Sequence, residues 1–85
     1  MTYIVNLKRS AEKELEKLPV KIHDTIVSRL VSLKNNPIPV GAKKLHGREG
    51  YRLRVGSYRV LYIVNNLKKK IEVFSIAHRK EVYRL

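Results

Sequence analysis

The chain has 85 residues, enough for one domain with one modest core, and its hydrophobic fraction of 44% is that of a folded protein. With no cysteine it has no disulfide, no thiolate metal site and no Cys nucleophile, and its three histidines, His23, His46 and His78, lack metal-ligand spacing. Nineteen Lys and Arg against seven Asp and Glu leave a net charge of +12, which points to a polyanionic partner.

The excess is uneven. Residues 1–40 carry seven basic and four acidic groups (+3), whereas residues 41–85 carry twelve basic and three acidic (+9), so the binding face is expected in the second half. The opening MTYIVNL is too soon interrupted by Lys8 and Arg9 for a signal segment, and no apolar run approaches the roughly 20 residues of a membrane span. A single soluble cytoplasmic domain over residues 1–85 is expected, with no membrane contact, metal or cofactor.

In chain order, TYIVNLK reads as a short strand with Tyr3, Val5 and Leu7 on one face and Ile4 on the other. Ser10 is placed to cap a helix whose Ala11, Leu15 and Leu18 form an apolar stripe and which Pro19 ends. Ile22, Ile26, Leu30 and Leu33 recur at helical spacing and predict a second helix over 20–33. Asn35, Asn36, Pro37 and Pro39 then open a basic loop over 35–50. Three strands follow, 51–55, 58–64 and 70–77, with turns at Gly56-Ser57 and around Asn65-Asn66. The order β-α-α-β-β-β describes an α+β domain, a helical hairpin on one face of a small, mainly antiparallel sheet.

A two-residue turn at Gly56-Ser57 pairs Val55 with Tyr58, Arg54 with Arg59, Leu53 with Val60 and Arg52 with Leu61. Side chains alternate across a strand and paired residues share a face, so Arg52, Arg54 and Arg59 point to one side. Tyr51, Leu53, Val55, Tyr58, Val60, Tyr62 and Val64 point to the other, which suits it to receive the helices. Two arginines directly opposite one another repel unless an anion lies between them. An antiparallel last strand is expected to bring His78 and Arg79 beside Arg54 and Arg59, with Tyr83 following.

Guanidinium groups bind phosphate oxygens in pairs, imidazole titrates near neutrality, and a phenol can stack on a base. This set suits a metal-independent ribonuclease, in which a 2′-hydroxyl attacks the adjacent phosphate. On that reading His78 is the general acid or base, Arg54, Arg59 and Arg79 stabilise the phosphate, Arg52 holds the flanking backbone and Tyr83 stacks or positions the 2′-hydroxyl. Lys43, Lys44 and Arg48, in KKLHGREG, are expected to contact backbone phosphates from a solvated loop. His46, His23 and the helix lysines Lys13, Lys17 and Lys21 read as ordinary surface residues, and nothing fixes the direction of Glu49.

The stretches LHGREGYRLRVGSYRVLYIV and IAHRKEVYRL, after a helical hairpin with AEKELEKLP, resemble the RelE/ParE superfamily of toxin-antitoxin toxins, and its RelE branch in particular. The resemblance spans essentially the whole chain. It implies a RelE-like, microbial-ribonuclease-like fold and a toxin that cleaves mRNA in the ribosomal A site until a cognate antitoxin covers it. The family's functional positions fall on Arg52, Arg54, Arg59, Arg79 and Tyr83. Relatives often carry Lys where this chain has Arg52 and Arg54, which leaves the base open and gives His78 its place as a candidate. The rival readings are a ParE-like inhibitor of DNA gyrase and a small RNA-binding module that does not cut.

Overall fold

A computed structural model describes residues 2–78. Strand β1 (Ile4–Leu7) turns Val5 and Leu7 toward the core, while Ile4 and Asn6 stay exposed, as a two-residue period requires. The Lys8 N–H still bonds the Val73 carbonyl (2.8 Å), and the Lys8 carbonyl already accepts from Glu12 N–H (2.9 Å). The chain therefore passes from sheet to helix at one residue. Helix α1 (Arg9–Glu16) has Lys8 at its N-cap position with no side-chain capping bond, which corrects the expected cap at Ser10: strand pairing, not a hydroxyl, sets where this helix starts.

Ala11 and Leu15 are buried, and Leu18 packs against the same cluster. Pro19 separates α1 from α2 (Val20–Leu33) and is the N-cap of the second helix, which buries Ile26, Leu30 and Leu33. Four further strands follow: β2 (Lys43–Lys44), β3 (Tyr51–Val55), β4 (Tyr58–Asn65) and β5 (Lys70–His78). The sheet order is β1-β5-β4-β3-β2, with β1 parallel to β5 and the other pairs antiparallel. Only β2 lies outside the expected elements; it is two residues long and carries no apolar alternation for a pattern search to find.

The helices cover one sheet face. Leu53, Val55, Val60, Tyr62, Ile71, Val73 and Ile76 meet them there to form the core, and Tyr51, Tyr58 and Val64 pack at its margins. The fully buried Tyr62 stacks on Tyr51 (centroids 5.9 Å apart) and donates its hydroxyl proton to the Pro37 carbonyl (2.7 Å), which ties the 35–40 segment to the sheet. Burial, aided by the neighbouring Tyr51, pushes the Tyr62 phenol up to about 12.

One irregularity matters for function. Leu61 pairs with Ser75 but Tyr62 pairs with Val73, so Phe74 is an extra residue in β5, a β-bulge. Ahead of it Ile71 and Val73 point inward; beyond it Ile76 does. The bulge reverses the facing of every residue after it relative to an unbroken strand.

Candidate polyanion-binding site

The observed β3–β4 register is the one that the turn chemistry dictates, Arg54 opposite Arg59 and Arg52 opposite Leu61. Gly56 supplies the turn with φ +59, a backbone state that side-chain-bearing residues seldom adopt. Arg52, Arg54 and Arg59 thus share the sheet face that the helices leave open. Arg54 is exposed and donates from Nε to the Gly56 carbonyl (3.3 Å), which holds its fork at the hairpin end. Arg59, with 6% of its surface exposed, is the one charged side chain that is buried among the described residues.

These three arginines line a hollow of about 160 Å³ together with Gly41 and Lys43. Lys43 reaches it because β2 pairs Lys43 with Arg52, which places both on one face. Among the described residues the hollow has four cations in its wall and no carboxylate. A volume of this size suits a single phosphate group, and charge-assisted hydrogen bonds from guanidinium forks suit its oxygens.

The other expected site residues separate. Lys44 pairs with Tyr51 and so lies on the helix side of β2; with Arg48, Glu49 and Tyr51 it lines a different hollow of about 470 Å³ at the far end of β3. Arg48 is not a loose loop cation. Its guanidinium lies 4.3 Å from the centroid of the Phe74 ring. The loop that carries it is solvated, as expected, with residues 46–49 exposed, and it is closed by Leu45 N–H bonding the Gly50 carbonyl (3.0 Å).

His78 is also turned away. It pairs with Tyr58, on the helix side, and the two rings meet edge-on with centroids 5.3 Å apart. The expectation that His78 joins Arg54 and Arg59 is corrected: the bulge at Phe74 shifts the alternation by one, and Ala77, not His78, stands opposite Arg59. The signal was present in the sequence, since the apolar positions run Ile71, Val73 and then Ile76, an odd-to-even slip that marks an inserted residue. Arg79 and Tyr83 lie outside the described residues.

Lys43 is the site residue whose position sequence reasoning missed, as it had been assigned with Lys44 and Arg48 to a loop. Among the described residues lining the hollow it is the one cation that chemistry allows to pass on a proton, because arginine effectively never does.

Comparison with known proteins places this geometry. Residues 5–83 match the family model described as the ParE toxin of type II toxin-antitoxin system, parDE. Toxin RelE of Mycobacterium tuberculosis is 33% identical over 98% of this chain and 88% of its own length, and putative toxin RelE1 of Methanocaldococcus jannaschii is 32% identical over 99% and 98%. Among solved structures, the archaeal RelE-RelB complex from Pyrococcus horikoshii superposes with a TM-score of 0.84 at 32% identity, covering 93% of this chain and 97% of that one. The toxin-antitoxin complex RelBE2 from Mycobacterium tuberculosis gives 0.83 at 26% identity, covering 93% and 100%. The chain therefore belongs to the RelE/ParE toxins of type II toxin-antitoxin systems, and its relatives mark it as RelE-like.

Proposed function

We propose that this toxin is a ribosome-dependent endoribonuclease that cuts mRNA in the A site without a metal, and that a cognate antitoxin neutralises it in the cytoplasm. The observation that carries the reading is the hollow lined by Lys43, Arg52, Arg54 and Arg59, four cations with no carboxylate among the described residues, on an open sheet face. The RelE relatives, and the solved complexes of RelE with RelB, support the toxin and antitoxin parts.

In the reaction the 2′-oxygen forms a bond to phosphorus and the bond from phosphorus to the 5′-oxygen breaks. A proton leaves the 2′-hydroxyl and one arrives on the 5′-oxygen. The phosphorane gains negative charge on the way, and the guanidinium groups of Arg54 and Arg59, held by the sheet before substrate arrives, stabilise that charge more than the ground state. Lys43 is the lining group able to exchange the proton, while Arg52 holds the adjoining backbone. Arg79 and Tyr83 keep the roles that the family resemblance gives them, phosphate stabilisation and stacking.

The test is a programmed ribosome carrying a short labelled mRNA, with free mRNA in parallel and EDTA present in both. Cleavage at a defined A-site position, lost in Arg54→Ala and Arg79→Ala, is the expected result. Intact mRNA with a folded protein that still arrests growth sinks this reading. The match to the ParE model then directs the search to gyrase, where inhibited supercoiling would be the readout.

A further inference from the structure

The open sheet face holds a second hollow, at the opposite end from the arginines. It measures about 350 Å³ and its polar lining comprises Asn6, Asn65, Lys68, Lys70 and Glu72. The residues come from β1, β4, β5 and the turn that joins the last two. We propose that this hollow is a second phosphate subsite, so that the outer sheet face binds single-stranded RNA along the length of β4; the inference rests on the endoribonuclease reading above.

The three lysines of the NNLKKK turn are not equivalent. Lys69 takes a left-handed backbone (φ +54), and its ammonium lies 5.2 Å from the centroid of the Tyr3 ring. Tyr3 in turn donates its hydroxyl proton to Asn66 Oδ1 (2.7 Å), and Lys68 N–H bonds Asn65 Oδ1 (3.0 Å). These contacts fix the tip of the hairpin. Lys68 and Lys70 line the outer hollow, and no ion pair among the described residues engages either ammonium. Asn65 retains its two amide N–H donors for an anion.

Between the two hollows the outward-facing residues of β4 are the buried Leu61 and the half-buried Ile63. Arg59 and Asn65 are six residues apart on β4, about 20 Å at strand rise. A stacked strand advances ~3.4 Å per nucleotide, so about six nucleotides span the path. A trinucleotide reaches one hollow; a longer strand reaches both. The opposite sheet face is occupied by the helices, which leaves an extended ligand this one track.

Length dependence tests the proposal. Fluorescein-labelled 2′-O-methyl oligouridine, which resists attack by its own 2′-oxygen, is titrated as a trinucleotide and as a decanucleotide against the full chain. Lys68→Ala with Lys70→Ala is expected to weaken the decanucleotide about tenfold and lower its salt slope by about 1.4, while the trinucleotide stays within about twofold. Lys13→Ala with Lys21→Ala removes the same charge from the helices and is expected to change neither. Equal weakening of both lengths, or an unchanged decanucleotide, overturns the subsite while leaving the arginine hollow intact. If Arg54→Ala fails to weaken the trinucleotide, the polyanion reading itself falls, and the subsite with it. A decaglutamate probe weakened by the lysine pair while RNA binding is unaffected would assign the hollow to an acidic protein and overturn the proposal.

Discussion

Arg54 and Arg59 face each other across one hairpin but differ in how they are held. Arg54 is exposed, with one tie to the Gly56 carbonyl, and its loss removes a donor without opening the core. Arg54→Ala is expected to lower A-site cleavage by roughly 10²–10³-fold with an unchanged melting temperature. Arg59→Ala is expected to lower both, because the side chain is buried. Cleavage assays and thermal melts on the two variants separate the effects. For His78 the geometry predicts the opposite of a catalytic role. Its ring rests against Tyr58 on the helix side, so His78→Ala is expected to retain cleavage within a few-fold and to cost about 1 kcal/mol of stability through the lost edge-on contact. A loss of cleavage in a variant with an unchanged melt would contradict this placement.

At the scale of elements, two junctions hold the sheet to its loops. Gly50 opens β3 at φ +130, and a Cβ there would sit 2.9 Å from the Tyr62 carbonyl oxygen and 3.1 Å from a Leu45 methyl. Backbone cannot yield as a flexible side chain can. Gly50→Ala is expected to destabilise the fold by about 2 kcal/mol or more, read as a drop in melting temperature. The second junction is the Tyr62 hydroxyl on the Pro37 carbonyl. Since burial raises this phenol to about 12, the unfolded chain releases its proton near pH 10 and the folded chain only near pH 12. The stabilisation is complete below pH 10 and is lost as pH rises toward 12. Tyr62→Phe is expected to be less stable at pH 7 by about 1 kcal/mol, from the missing hydrogen bond, and to show a shallower decline across that window in denaturant titrations.

The molecule as a whole is a charged plate with one dressed face. The helices cover the apolar side of the sheet, and strand residues on the bare side include Lys43, Arg52, Arg54, Arg59 and Lys70 against the single carboxylate of Glu72, among the described residues. A chain of net charge +12 with one face so biased draws phosphate from beyond contact range and makes encounter sensitive to ionic strength. Binding to single-stranded RNA is expected to weaken with salt, at a log-log slope of about −0.7 for each phosphate that the open face neutralises. A slope near zero would place recognition elsewhere.

Legible from the residues alone were the features written within a few residues of one another. The apolar spacing of α2, the Gly56-Ser57 turn and the strict alternation on either side of it made the β3–β4 register, and with it the shared face of Arg52, Arg54 and Arg59, readable before any coordinates. The stretches flanking that hairpin carried the family resemblance. Tertiary structure decided what depended on distant partners. Lys43 joins the arginines and Lys44 does not because a two-residue strand pairs with β3, and α1 begins at Lys8 because its N–H is held by β5. His78 faces the helices because one extra residue at Phe74 slips the alternation where β5 lies against β4. Turn and period act through local sterics and leave a local trace; pairing across tens of residues is chosen by whichever arrangement buries the core, and short polar segments follow it without a pattern of their own.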